Sequence, residues 1–219
     1  MNKKTIIIAT ILSILSFLGI LLVYNKLPET IPSHWGVNGE VDAYGPRYIT
    51  LIIGALPILF VPLFIFVPYW DPKKESYEKH QKAYNIFTLV VIIFLIGLNW
   101  LTIGIALGYK LNMVTFILIG TGILFMVMGN YLPQLRQNYS FGIKLPWTFA
   151  SERTWKLTHR LGGIIFFLMG VVCCFLAFTK PIVAFITLMA MIFLAVIGIS
   201  IFSYVVYKRE VKTNEVKNA

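Results

Sequence analysis

The chain has 219 residues, of which 58% are hydrophobic and 13% charged, with a mean hydropathy of +0.79 and a net charge of +10. Soluble domains carry about 45–50% apolar and about 25% charged residues, so these proportions exclude a soluble fold. The length leaves no room for a large domain outside the membrane, and the basic residues lie between and beyond apolar runs, which topology explains better than nucleic-acid binding.

The first apolar run, Thr5–Tyr24, follows Met-Asn-Lys-Lys. A signal peptide has an apolar core of about 7–15 residues and a small-x-small cleavage site. This run is longer and ends in Tyr-Asn-Lys-Leu-Pro, so it is expected to be an uncleaved span. Five more runs follow: Tyr48–Tyr69, Ala83–Leu107, Met113–Leu132, Leu161–Phe178 and Ile182–Tyr207. Each is near or above the ~18 residues needed to cross a bilayer. The expected fold is an all-α integral membrane protein, a bundle of six transmembrane helices. The chain divides into a four-span half (1–132, with a loop at 25–47), a motif loop (133–160) and a two-span hairpin with a basic tail (161–219).

Details within the runs agree with lipid burial. Pro57, Pro62 and Pro68 predict kinks in the second span, their freed carbonyls satisfied by neighbouring helices. Tyr69, Trp70, Trp100, Tyr109, Tyr131 and Tyr207 lie at or near run ends, where interfacial aromatics belong. Asn85, Asn99 and Asn130 are expected to hydrogen-bond between helices, and Gly97, Gly104, Gly120, Gly122 and Gly129 to allow close packing. Cys173 and Cys174 are adjacent, point about 100° apart in a helix, and read as packing residues. The polar tail, Lys208–Ala219, is expected to fray.

Orientation follows from Lys and Arg. Segments on the side of the N-terminus hold two (Lys3, Lys4), four (Lys73, Lys74, Lys79, Lys82), five (Arg136, Lys144, Arg153, Lys156, Arg160) and four (Lys208, Arg209, Lys212, Lys217). The opposite side holds Lys26, Arg47, Lys110 and Lys180. The positive-inside rule then predicts both termini in the cytoplasm of a multi-pass cell-membrane protein, with 25–47 outside.

Two segments are too specific to be connectors. In the outer loop, Asn38-Gly39 predicts a tight turn flanked by Val37 and Val41. His34, Glu40 and Asp42 are metal-ligand types, but their spacing is no zinc pattern, and no metal is expected. The second segment is Phe141–Gly163. Pro146 biases Leu145 towards extended backbone, and Ser151 can cap a helix with Glu152 in its first turn. From there Trp155, Leu157, Leu161, Thr154 and Thr158 fall on one arc; His159, Glu152, Lys156, Arg160 and Arg153 fall on the other. This predicts a short amphipathic helix at the membrane surface, ended by Gly162–Gly163.

These residues resemble a known family. Ile31-Pro32-x-His34-Trp35-Gly36-x-Asn38-Gly39-x-x-Asp42-x-Tyr44-Gly45 is similar to the outer motif of the SdpI family of membrane immunity proteins. Gly142-Ile143-Lys144-x-Pro146-Trp147-Thr148, then Trp155-x-x-Thr158-His159-Arg160-x-Gly162-Gly163, is similar to its cytoplasmic motif. The family more usually has Arg-Thr where this chain has Lys144-Leu145, which retains the positive charge. The resemblance implies protection of the cell against a secreted peptide toxin, met at the outer loop. It also implies that the inner motif braces the bundle or reports its state, by holding a cytoplasmic winged-helix autorepressor at the membrane. Membrane lipids are the remaining expected partner, and no cofactor is implied.

Catalysis has little support, since there is no His-Glu-x-x-His, no Gly-x-Ser-x-Gly and no acid pair within a span. The expectation is therefore a binding protein. The alternatives are a small transporter or exporter of a peptide or lipid-like toxin, and a membrane hydrolase using His34 or His159.

Overall fold

The computed structural model describes residues 1–218; Ala219, the last residue of the expected fraying tail, lies outside the described residues. Six helices are long and apolar enough to span a membrane. They are α1 (Lys3–Tyr24), α2 (Ile49–Trp70), α4 (Gln81–Ala106), α5 (Met113–Tyr131), α7 (Glu152–Leu176) and α8 (Pro181–Asn218). Two short helices, α3 (Ser76–Lys79) and α6 (Pro146–Ala150), lie in the connections on the side of the termini. The chain is not wholly helical: β1 (Thr30–Trp35) and β2 (Val41–Pro46) form an antiparallel hairpin at the opposite end.

The helix starts are legible in sequence terms. Asn2, Asn112 and Ser151 each accept a hydrogen bond from the backbone N–H three residues on, capping α1, α5 and α7. α2 runs unbroken through Pro57, Pro62 and Pro68. Pro68 cannot bond the carbonyl of Phe64, and the Tyr84 hydroxyl of α4 donates to it at 2.9 Å.

Packing falls into two sets of contacts joined by α4, which lies against both α2 and α5. α1, α2 and α4 pack on one another around Ala9, Ile20, Val61, Ile92 and Ile103. α5, α7 and α8 form the second group around Leu118, Met169, Ala184, Ala195 and Ile199. Helix α5 packs chiefly on the motif helix α7 and also on α4. Asn99 joins helices as expected, donating to the Thr50 carbonyl of α2 at 3.0 Å. The side chain of Asn85 accepts from Asn2 at the start of α1. Asn130 is exposed and makes no interhelical side-chain bond among the described residues.

The closest helix approach is α5 against α7. A Cβ on Gly122 would lie 2.7 Å from the Gly170 carbonyl oxygen, and one on Gly170 would lie 2.5 Å from the Gly122 oxygen. Gly129 and Gly163 face each other in the same way, at 2.6 and 2.7 Å. In lipid, helices gain little from apolar burial against one another, so such close van der Waals approach holds them together. Here the sequence-based expectation for Gly162–Gly163 fails. The pair does not end a surface helix; α7 is one continuous helix through both. The tail is also helical as far as it is described, because α8 continues to Asn218.

Candidate functional site

The hairpin carries the first motif. Its turn is wider than expected: Gly39 N–H donates to the Gly36 carbonyl and Gly36 N–H to the Glu40 carbonyl, each at 2.9 Å. Val37 thus lies in the turn, and Trp35 is the residue opposite Val41. Gly39 has φ +86°, in the left-handed region, and a Cβ there would come within 2.8 Å of Val114 on α5. Pro32 is buried beside Ile31, which is fully buried and seats the hairpin on the bundle. Asn38 is exposed at the tip, Tyr44 is exposed, and Gly45 is opposite Ile31.

Register irregularities flank His34, and its Nδ1 lies 2.6 Å from Asp42 Oδ1. Both side chains are exposed, so the pair organises the outward face more than it stabilises the fold. Among the described residues no third histidine, cysteine or carboxylate joins a cluster able to hold a metal.

At the other end, the second motif is built into the bundle rather than laid on a surface. Trp155 is 2% exposed and His159 fully buried. Their rings stack with centroids 4.0 Å apart. The sequence reading placed His159 on the charged arc; it lies four residues after Trp155 and therefore shares its face. His159 Nδ1 is 2.8 Å from the Trp155 carbonyl oxygen, which can only accept, so Nδ1 carries the proton. Nε2 then accepts from Ile143 N–H at 3.0 Å. Both ring nitrogens are committed to backbone, which leaves His159 no free atom for acid–base chemistry or a metal.

Gly142 explains why the glycine and the two rings occur together. It has φ +121°, and a Cβ there would meet His159 Nε2 at 2.5 Å and Trp155 at 3.3 Å. The backbone crosses directly over the stacked rings. Trp155 Nε1 donates to the Leu135 carbonyl at 2.9 Å, and Thr158 to Ser203 of α8 at 2.8 Å. A Cβ on Gly162 would strike Ile143 at 2.4 Å. Pro146 opens α6 after an extended Leu145, and Trp147 packs edge-on to Tyr204. Lys144, Pro146 and Arg160 remain exposed.

Three structural residues escaped the sequence reading, Asp71, Gln137 and Asn138, and they work with Thr148 of the motif. Asp71 is 4% exposed and accepts from the N–H groups of Lys73, Tyr139 and Ser140, and from the hydroxyls of Tyr77 and Ser140. Burial raises its carboxyl pKa, but these donors outweigh burial and hold it below the ordinary value. Gln137 donates to the carbonyls of Thr148 and Phe149. Asn138 donates to those of Arg136 and Phe141. Thr148 accepts from Leu145 N–H. His80 is 2% exposed and accepts from Arg136 N–H through Nδ1. Together these bonds latch the 136–141 segment of the second helix group onto the α2–α4 connection of the first. The available signal was Asp71 itself, an acid directly after an apolar run and before Pro72.

The latch is expected to be acid-sensitive. Burial pushes the His80 pKa from 6.5 down to about 4, Asp71 opposing and Arg136 reinforcing the shift. Between those values the unfolded chain holds a proton that the folded chain does not, so stability is complete above pH 6.5 and is lost as pH falls towards 4. Amide exchange at 136–141, corrected for intrinsic rate, is expected to quicken from pH 7 to pH 5. His80→Asn is expected to flatten that dependence; an unchanged slope would remove His80 from the latch.

A bundle of six spanning helices, with a hairpin at one end and a polar latch at the other, defines a multi-pass membrane protein. Residues 134–207 match the SdpI/YfhL protein family, and residues 11–61 match a domain of unknown function, DUF1648. The chain is 29% identical over 206 residues to the protein named Immunity protein SdpI of Bacillus subtilis, covering 94% of this chain and 97% of that one. A second relative, an uncharacterized protein of Archaeoglobus fulgidus, is 50% identical over 36 residues, 16% of this chain and 20% of that one. No solved structure matches. The family match over 134–207 and the full-length similarity together support an SdpI-family protein.

Proposed function

We propose that this protein is a membrane immunity protein that protects its cell from a secreted peptide toxin by binding, with the β1–β2 hairpin as the toxin-facing surface. The observation that carries the reading is full-length similarity to a protein named for immunity, together with a hairpin whose exposed motif residues are held in place by a seated base. Both termini and the latch lie in the cytoplasm, as the distribution of Lys and Arg favours. His34 and Asp42 face solvent as a pair, and His159 is fully engaged by backbone, which favours binding over hydrolysis. On the cytoplasmic side, exposed Lys144, Arg153, Lys156 and Arg160 offer a basic face to which an autorepressor can be held.

Reporter fusions test the orientation: those after residues 75 and 150 should read cytoplasmic and one after residue 38 external. A cytoplasmic signal at 38 would exchange the two faces. The toxin-facing role is tested by survival of a toxin-sensitive host expressing the chain. His34→Ala or Asp42→Ala is expected to lower resistance while the protein still accumulates in the membrane. Gly39→Val should be worse, because its φ is positive and its new side chain strikes Val114. Full resistance in all three would reduce the hairpin to a connector.

A further inference from the structure

We propose that the seam between α4 and α5 holds an anionic phospholipid, its acyl chain in an apolar cavity and its phosphate on Lys144. The cavity has a volume of about 340 Å³, and its walls include Phe87 of α4, Val127 and Met128 of α5, Phe141 of the α5–α7 connection and Phe166 of α7. Val127, Met128 and Phe166 are half-buried within spanning segments, so the cavity is open at the seam at membrane depth. A bilayer lipid can enter there laterally, whereas a soluble anion gains nothing from apolar walls.

The rim is polar and basic. Lys144 Nζ donates to the Ser140 carbonyl at 3.4 Å, which folds the side chain back towards Ser140, itself part of the rim. Among the described residues Lys144 has no carboxylate partner, and the Tyr131 hydroxyl, also on the rim, makes no hydrogen bond. The remaining N–H donors of Lys144 and the Tyr131 hydroxyl, beside an apolar cavity, fit an amphiphile with an anionic head. The seam also lies on the side that carries most of the basic residues, where anionic headgroups are attracted.

The occupant bears on the second motif. Ile143 and Phe166 line this cavity and also a second one of about 380 Å³ against α8. Ile143 is thus a partition, held from behind by the bond from its N–H to His159. A chain filling the first cavity supports that partition from the open side.

The test uses the full chain in nanodiscs of phosphatidylcholine with or without phosphatidylglycerol, released into native mass spectrometry. One phosphatidylglycerol should be retained per chain in preference to phosphatidylcholine. Lys144→Gln, at an exposed side chain whose loss leaves the packing intact, should weaken retention about fivefold, the equivalent of about 1 kcal/mol for one lysine at an anionic surface. Val127→Trp, which fills the cavity, should also lose the lipid. Lys156→Gln, exposed on α7 outside the cavity, should retain it as the unaltered chain does. Equal retention in the two lysine variants, equal retention of phosphatidylcholine, undiminished retention in Val127→Trp, or a co-purifying peptide in place of lipid would each overturn the proposal.

Discussion

Replacing Gly129 or Gly163 by valine is expected to separate α5 from α7 and to remove most of the protein from the membrane. A Cβ on Gly129 would lie 2.4 Å from the Phe167 backbone nitrogen and 2.6 Å from the Gly163 oxygen. One on Gly163 would lie 2.7 Å from the Gly129 oxygen and 2.9 Å from Pro133. These neighbours are backbone atoms and a proline ring, so no side-chain rotation relieves the clash. The helices must move apart, and with them goes the contact that stands in for apolar driving force in lipid. Overpacking a well-packed site costs typically 1–3 kcal/mol, and these rigid contacts place the two variants at about 3 kcal/mol. Gly198→Ala is the control, because no atom lies within 4 Å of a Cβ there. Thermal unfolding in detergent and membrane abundance measure the difference. Equal behaviour of Gly163→Val and Gly198→Ala would mean that the α5–α7 approach is not what holds this half together.

The six spans were legible because apolar runs of this length have few other structures open to them. The glycines of α5 were legible as a packing face, but Gly163 was read as a helix stop. In a soluble helix that is a fair expectation; beside another backbone in lipid, glycine permits contact instead. The motif residues of the second segment stood out in the sequence, yet their arrangement did not. Helical spacing puts Trp155 on the apolar arc and His159 on the charged arc of a helix expected to lie at the membrane surface. Backbone of a distant loop covers them in the structure, and no local pattern announces a loop that folds over a helix. Asp71 and Asn138 were hidden for a related reason, since their partners lie up to 69 residues away or in backbone that must first be bent.

The two tryptophans of the second segment are expected to part company. Replacing Trp155 by phenylalanine keeps an aromatic ring, and so keeps much of the stack on His159. It removes the Nε1 donor to the Leu135 carbonyl in a site where Trp155 is 2% exposed. An acceptor left buried without its donor costs about 1–3 kcal/mol, and the loss falls where Leu135 joins the latch segment. Trp147→Phe is different in kind. The Trp147 indole nitrogen is buried with no hydrogen-bond partner, so phenylalanine removes an unsatisfied donor while keeping an aromatic edge for Tyr204. That variant should be neutral in stability. Lys156→Arg, on the exposed face of α7, should be silent. At equal membrane abundance, Trp155→Phe is therefore expected to lower thermal stability and toxin survival together and to quicken amide exchange at 141–143. Trp147→Phe and Lys156→Arg should match the unaltered chain in all three measurements. If the two tryptophan variants were equally impaired, ring size at the membrane surface would be the relevant property, and the bond to Leu135 would not.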